Sequence, residues 1–389
     1  MSARTSSVNP AVLRWARERS GLSVEDAATA IGRPADAVRD WEAGTSSPTY
    51  RQLAELAQRV YKRPVAVFFF PTPPEENSIS SQFRTLPRAD VEALEPDTLY
   101  ALRDARALQM AIPDLLAGME TPISRSVDEL RAVTGEGATS LAERMRRVFA
   151  VSDADQRSWR SADQALKEWR QVVERFGVFV FKRSFTQSDV SGFCLDDERY
   201  PLVMINNGTA HTRQIFTLFH ELGHIAFRVS GVTTRDQRNL GSLAPTARDI
   251  EVTCNRFAAD FLVPWSAFDW RSLNESAALA AIPTMARSFH VSREVVLRRF
   301  CDAGAVTPAR YDEVVAEWSD DYFRDGGDSG GGSYYANQGT YLSETYVRAA
   351  LGNYHAGRLG IGELADHLRM KARNVTRFED FILSRGNAE

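Results

Sequence analysis

The stretch Phe216–Ser230 reads FTLFHELGHIAFRVS and holds two of the six histidines of this 389-residue chain. Apolar residues recur around them at helical spacing, which predicts a buried helix. On that helix His220 and His224 lie one turn apart on one face, so both imidazoles can bind a single metal ion. Glu221 is rotated by about 100° from His220, where it can reach a water at the ion without binding the ion itself. The alternative is a buried helix with two hydrogen-bonded core histidines.

A catalytic zinc ion needs a third protein ligand and one open position. The continuation HxxGxxH is absent, because Phe227 and Ser230 stand where it requires glycine and histidine. The best candidate is Glu251 in the helical segment DIEVTCNRFAADFLVP, where Asn255 lies on the same stripe and could hold a ligand by a hydrogen bond. The alternatives that stay open for the third ligand are Asp249 and His211, whereas Cys254 is interpreted as a small core residue.

Short strands are predicted before the HELGH helix, at GVFVF (177–181), GFCL (192–195) and PLVMIN (201–206). We predict PLVMIN to be an edge strand that could pair with an extended substrate. Gly223 lowers helix stability and therefore suggests that another backbone, for example a strand, approaches closely. Three polar residues are candidates to stabilise an oxyanion: Tyr200, Arg213 and Asn206.

These segments resemble the ImmA/IrrE family of metallopeptidases. The resemblance rests on WRQVVERFGVFVF, SGFCLDDERYPLVMINN, RQIFTLFHELGH and IEVTCNRFAADFLVP, which follow one another in the order of that family. It covers roughly residues 160–265 and continues more weakly to about 320. It implies that His220, His224 and Glu251 bind Zn²⁺, that Glu221 is the general base or acid, and that the substrate is a protein, commonly a repressor or antitoxin.

Residues 9–61 contain LSVEDAATAIGRPADAVRDWEAGTSSPTYRQLAELA and resemble the Cro-repressor-type (XRE-like) helix-turn-helix domain. The start of the third helix would face the major groove. Arg33 and Arg39 are candidates for DNA contacts, but Asp36 and Asp40 on the same helix would repel phosphate. The alternative is a helix-turn-helix domain that dimerises or holds a protein partner.

The composition is that of a globular protein, with 43% hydrophobic and 25% charged residues and a net charge of −4. Three scattered cysteines, a polar N-terminus and a longest apolar run of VAVFFF predict a cytoplasmic protein without a membrane segment. The run PTPPEENS and the linker GGDSGGG suggest domain boundaries. We predict five segments: a helix-turn-helix domain (1–74), a helical connector (75–135), a zincin-like domain (136–265), a helical extension (266–325) and a C-terminal helical domain (333–389).

The predicted fold class is mainly α, with a small α+β zincin-like metallopeptidase core that combines a short mixed sheet and the HExxH helix. A helix-turn-helix bundle precedes the core and a helical region follows it. The predicted function is a zinc-dependent endopeptidase of a regulatory system, with DNA or a partner bound by the helix-turn-helix domain and a homodimer as one possible assembly. The alternatives are a transcription factor whose peptidase-like domain is a sensor or silent, and one component of a toxin–antitoxin or phage-defence module.

Overall fold

The structure of the protein is a computed structural model that describes residues 8–76, 94–117, 123, 125–187, 190–228, 232–234, 245–322 and 339–386. The chain divides into two compact units. The first comprises Met1–Gln82, Pro87–Asp104 and Phe185–Gln187, and the second comprises Phe83–Leu86, Ala105–Ser184 and Ser188–Glu389. The five predicted segments remain a prediction, and the predicted linker GGDSGGG lies outside the described residues.

Four helices build the helix-turn-helix region of the first unit: α1 (Pro10–Arg19), α2 (Val24–Ala30), α3 (Ala35–Ala43) and α4 (Tyr50–Glu55). Helix α2 begins with a capping box of Ser23 and Asp26, in which each side chain accepts a hydrogen bond from the backbone N–H of the other residue. Helix α3 ends at Gly44, whose φ of 76° is a left-handed conformation that glycine adopts without steric cost. Ala27, Val38 and Trp41 are buried and form part of the core of this region.

A long helix, α5 (Pro96–Leu116), and the helices α6 (Ala138–Phe149), α7 (Asp153–Ser158) and α8 (Ala162–Glu174) precede the sheet. The strands are β1 (Phe179–Arg183), β2 (Val190–Leu195), β3 (Leu202–Asn206) and, after the HELGH helix, β4 (Val232–Thr234). Their order in the sheet is β1-β3-β2-β4. Strand β3 runs parallel to β1 and antiparallel to β2.

This strand order corrects the prediction for PLVMIN. Strand β3 pairs along both of its sides, with Met204 opposite Phe181 on β1 and opposite Phe193 on β2. Its backbone hydrogen-bonding groups are therefore taken by neighbouring strands, and it cannot receive an added strand. Among the described strands, β1 and β4 lie at the edges of the sheet.

The HELGH helix is α9 (His211–Ala226), and the helix that carries Glu251 is α10 (Pro245–Leu262). Both pack into one hydrophobic core with α8, where Phe219 stacks on Phe261 with ring centroids 4.2 Å apart and Trp169 meets Phe261 edge-on. Aromatic pairs of this kind stabilise a core beyond the area they bury. The core thus fixes the distance between the two helices that carry the metal-ligand candidates.

The remaining helices are α11 (Glu275–Phe289), α12 (Arg293–Asp302), α13 (Pro308–Tyr322), α14 (Glu344–His355), α15 (Ile361–His367) and α16 (Val375–Gly386). Arg170 on α8 donates hydrogen bonds to the carbonyls of Thr340 and Leu342, both at 2.8 Å, and so holds the segment that leads into α14. The prediction of a mainly α protein with a small mixed sheet is confirmed. Within the described part of the chain, no helix combines the length and apolar character needed to cross a bilayer.

Candidate metal centre

The side chains of His220, His224 and Glu251 converge on one point between α9 and α10. The Nε2 atoms of the two histidines are 3.0 Å apart. One carboxylate oxygen of Glu251 lies 3.2 Å from Nε2 of His220, and the other lies 3.2 Å from Nε2 of His224. Three donors therefore face one another from two helices that are separated by 18 residues in the sequence between Ala226 and Pro245.

Gly223 makes this convergence possible. A Cβ at this position would lie 3.1 Å from Cδ1 of Phe257, 3.2 Å from Sγ of Cys254 and 3.3 Å from Cα of Cys254. The backbones of α9 and α10 thus approach at Gly223 with no room for a larger side chain. The predicted close approach is present, but the partner is the helix of Glu251 and not a strand.

Burial and neighbouring charges together set the protonation of Glu251 and His224. Both histidines are buried and the side chain of Glu251 is 12% exposed. Burial opposes the charge of Glu251, but the two imidazoles that it faces lower its pKa far below the ordinary value. Burial likewise opposes a charge on His224, yet Cys254 and Glu251 raise the pKa of His224 well above the ordinary value. The site therefore presents an ionised carboxylate to the two imidazoles.

Asn255 contacts the site from the turn after Glu251. Its Oδ1 lies 2.8 Å from Nδ1 of His220. Because an amide oxygen only accepts, Nδ1 of His220 carries the hydrogen, and its Nε2 presents a lone pair to the centre. Hydrogen bonding of this kind fixes the orientation of a metal-binding imidazole.

Glu221 and Cys254 border the centre on either helix. Glu221 is fully buried and directly follows His220, so its carboxylate is displaced by about 100° around α9 from the donors. Cys254 is buried, and burial raises the pKa of its thiol, which favours the protonated form. A protonated thiol in contact with α9 at Gly223 agrees with the interpretation of Cys254 as a core residue.

The donor set fits a zinc ion. Two nitrogen donors at about 2.0–2.1 Å from an ion, with a tetrahedral angle between them, are about 3.3–3.4 Å apart. The three separations of 3.0, 3.2 and 3.2 Å are close to that spacing. Two imidazoles and a carboxylate also match the ligand types of catalytic zinc sites. Among the described residues, these three form the group of histidine, cysteine and acidic side chains that can hold a metal ion.

The other third-ligand candidates lie elsewhere. Asp249 is exposed two residues before Glu251. His211 is the first residue of α9, about 13 Å along the helix axis from His220, and its Nε2 lies 3.6 Å from the carboxylate of Asp163.

The three oxyanion candidates have local partners. Asn206 donates to the carbonyl of Val190 at 2.8 Å and accepts from the backbone N–H of Gly208 at 2.9 Å. Arg213 donates to Oγ of Ser191 at 3.1 Å. The hydroxyl of Tyr200 accepts a hydrogen bond of 3.4 Å from the neighbouring Arg199. Asn206 thus holds the end of β3, and Arg213 links α9 to β2. Tyr200 lies in the loop between β2 and β3.

In the helix-turn-helix domain, the two arginines that were predicted to contact DNA have different surroundings. Arg33 is exposed before α3. Arg39 is half-exposed and donates to Asp36 at 2.7 Å and to Glu25. The ion pairs of Arg39 compete with any phosphate, so Asp36 on α3 and Glu25 on α2 weaken the basic surface.

The sequence reasoning missed a buried ion pair that supports α10. Arg299 on α12 is fully buried, pairs with Asp260 and donates to the carbonyl of Val263 at 2.6 Å and 2.8 Å. Thr139 on α6 also donates to Asp260, at 2.6 Å. The sequence indicated Arg299 only as an arginine within the apolar pattern VVLRRF. Its role became clear only from its partner Asp260, which lies on α10.

Comparison with known protein families identifies both regions. Residues 173–300 match the Peptidase_M78 family, described as the IrrE N-terminal-like domain. Residues 11–65 match a family described as a helix-turn-helix domain. No curated protein matches the chain. The first match spans the sheet, α9 and α10 and ends in α12; the second spans α1 to α4.

Proposed function

The chain carries an IrrE N-terminal-like peptidase domain behind an N-terminal helix-turn-helix domain, and from this premise we propose that it is a zinc-dependent endopeptidase of a regulatory system. The observation that supports this most is the convergence of His220, His224 and Glu251 beside the buried Glu221. A site that had lost catalysis would be free to lose Glu221, whereas this chain keeps the whole constellation.

Each residue has a role in the proposed hydrolysis. His220, His224 and Glu251 would hold the ion, and Asn255 would orient His220 by its hydrogen bond at 2.8 Å. Zinc bound there would lower the pKa of water and polarise the scissile carbonyl. Glu221 would take a proton from the attacking water and deliver it to the nitrogen of the leaving amine, while the water oxygen bonds to the carbonyl carbon.

The substrate we propose is a protein, and the resemblance to the ImmA/IrrE family favours a transcriptional repressor or an antitoxin. The fused helix-turn-helix domain would bind DNA or a protein partner and so bring the peptidase to its substrate. This role fits a site that acts on few targets, because delivery by a second domain raises the local concentration of one substrate.

The proposal is tested by comparing the wild-type protein with Glu221→Gln. Both are loaded with zinc, incubated with a lysate of the source cells, and analysed for new peptide N-termini. We expect one zinc per chain in both proteins and new N-termini with the wild type alone. Equal sets of N-termini from the two proteins would contradict the assignment of a peptidase.

The second candidate is a helix-turn-helix regulator whose peptidase-like domain senses a ligand or is silent. The match of residues 11–65 to a helix-turn-helix domain favours it. A reporter placed behind the promoter region of the protein's own gene distinguishes the two. Equal regulation by the wild type and Glu221→Gln supports the regulator, and loss of regulation in Glu221→Gln supports the peptidase.

A further inference from the structure

Nδ1 of His224 is a buried nitrogen to which the metal centre described above assigns no partner. His224 is fully buried, and its Nδ1 has no nitrogen or oxygen partner among the described residues. Its Nε2 faces Nε2 of His220 at 3.0 Å and a carboxylate oxygen of Glu251 at 3.2 Å. When Nε2 binds a metal ion, the hydrogen of the ring must sit on Nδ1. Because a buried N–H is normally hydrogen-bonded, we expect an acceptor beside Nδ1.

Cys254 is the described side chain best placed to be that acceptor. It is fully buried, and a Cβ at Gly223, the residue before His224, would lie 3.2 Å from its Sγ. Among the described side chains, Cys254 and Glu251 lie within hydrogen-bonding range of the His224 ring, in addition to His220. Glu251 faces Nε2, which leaves Cys254 for the other nitrogen of the ring. A thiol sulfur is a weak acceptor, and it is the acceptor that this buried position offers.

The thiol does not itself bind the ion. The described donor atoms that lie within 4.8 Å of one another belong to His220, His224 and Glu251, and Sγ of Cys254 is not among them. A zinc–sulfur bond is about 2.3 Å long, so a thiolate ligand would belong to that group. Cys254 can therefore act on the centre only through the imidazole that it contacts.

One turn of α10 serves both histidines of α9. Cys254 and Asn255 follow Glu251 by three and four residues, so the three side chains lie within about 100° of one another around the helix. Oδ1 of Asn255 lies 2.8 Å from Nδ1 of His220. Cys254 has the corresponding place beside His224, so each imidazole has its own acceptor on α10.

We propose that Cys254 is a positioning residue of the metal centre, whose Sγ accepts a hydrogen bond from Nδ1 of His224 and keeps Nε2 directed at the ion. Hydrogen bonds of this kind fix the tautomer and the ring orientation of metal-binding histidines. The inference rests on the zinc site of the proposed function and not on cleavage. A wild-type protein that binds no zinc would contradict the proposed function, whereas unchanged zinc binding without the thiol would contradict this inference alone.

Competition for zinc with a chromogenic chelator tests the role in the full-length protein. We expect Cys254→Ala to lower zinc affinity about tenfold, at the lower end of the usual effect because sulfur is a weak acceptor. Cys254→Ser keeps an acceptor and should retain most of the affinity. Cys194→Ala is the matched control, because it removes the same atom from an equally buried cysteine on β2, a strand without a metal-ligand candidate.

Three results of this titration would overturn the proposal. They are wild-type affinity in Cys254→Ala, an equal loss in Cys194→Ala, and a serine variant as weak as the alanine variant. The last result would show that the sulfur acts by packing alone. Thermal unfolding of the zinc-free proteins confirms that the variants are folded.

Proton–nitrogen correlation spectra of the zinc-loaded protein detect the hydrogen bond itself. The two buried imidazoles should give two slowly exchanging Nδ1–H signals in the wild type. Cys254→Ala should move one signal and Asn255→Leu the other, because each variant removes the acceptor of a different ring. Absence of the second signal in the wild type, or one signal moved by both variants, would also overturn the proposal.

Discussion

Oδ1 of Asn255 lies 2.8 Å from Nδ1 of His220, and Asn255 stands one helical turn after Glu251. One helix thus provides both a carboxylate that faces the two imidazoles and an amide that orients the first of them. In this orientation Nε2 of His220 carries a lone pair, and this atom faces His224 and Glu251. Removal of the amide would free the ring of His220 without removing a donor.

We therefore expect Asn255→Leu to reduce zinc affinity by about 10- to 100-fold, the usual effect of losing a hydrogen bond to a metal-binding histidine. Asn255→Asp keeps an acceptor of the same shape and should lose much less. Competition with a chromogenic chelator measures both. Equal zinc affinity in Asn255→Leu and the wild type would show that packing alone orients His220.

Gly223→Ala should destabilise the protein although alanine is the better helix former. The added Cβ would press on Cys254 and Phe257 at 3.1–3.3 Å, and overpacking of this kind costs about 1–3 kcal/mol. Gly362→Ala is the control, because Gly362 also lies in a helix but a Cβ there meets nothing within 4 Å. It should stabilise by up to about 1 kcal/mol. Denaturant unfolding at fixed zinc concentration measures both, and a stabilised Gly223→Ala would contradict the close approach.

Arg299→Met should lower the free energy of unfolding by about 3–5 kcal/mol, because it removes the buried cation beside the carboxylate of Asp260 and leaves only the exposed Arg256, at 3.8 Å. The neighbouring Arg298→Met is the control. Arg298 is exposed and pairs with Asp302 at 3.2 Å, a surface pair that contributes about 0–1 kcal/mol. Similar losses in the two variants, measured by urea unfolding, would argue against a special role for the Arg299–Asp260 pair.

Lys182 should give stability a dependence on pH. Its burial in β1, together with the charge of Arg170, lowers the pKa of Lys182 to about 7. In the unfolded chain its pKa is about 10.4, so between about pH 7 and pH 10 the unfolded state binds more protons and stability rises with pH. Below pH 7 Lys182 is charged in the folded state as well, and the full free-energy cost of burying that charge lowers the stability.

Lys182→Met removes that cost. We expect the variant to exceed the wild type by a few kcal/mol near pH 6–7, and the difference to shrink as the pH rises towards 10. Unfolding at several pH values measures the difference, in which the contributions of groups that do not interact with Lys182 cancel. A difference that stays constant or grows with pH would contradict a lysine that is neutral above pH 7.

The ion pairs of Arg39 predict a gain of function in the helix-turn-helix domain. If α3 contacts DNA, Asp36→Asn should tighten binding to a duplex from the gene's upstream region several-fold, because it releases Arg39 and removes a charge that repels phosphate. Glu75→Gln removes an exposed charge outside the helices and serves as the control. Fluorescence titration at two salt concentrations measures both; equal effects of the two changes would exclude a contact by α3.

Local sequence determined the parts of the protein that depend on neighbouring residues. The spacing of His220 and His224 places two imidazoles on one face of α9, because a helix repeats every 3.6 residues. Ser23 and Gly44 set the start of α2 and the end of α3 through backbone hydrogen bonds and a left-handed turn. The prediction of three strands before α9 held for the same reason, since alternation and turn residues act over a few positions.

Tertiary structure alone decided which distant groups meet. The sequence offered Glu251, Asp249 and His211 for the third position, and the packing of α10 on Gly223 brought Glu251 to the two histidines. It also placed β3 inside the sheet and not at its edge, and it joined Arg299 to Asp260. Helix periodicity carries no information on such pairs, because contacts between elements depend on how whole side-chain surfaces fit together.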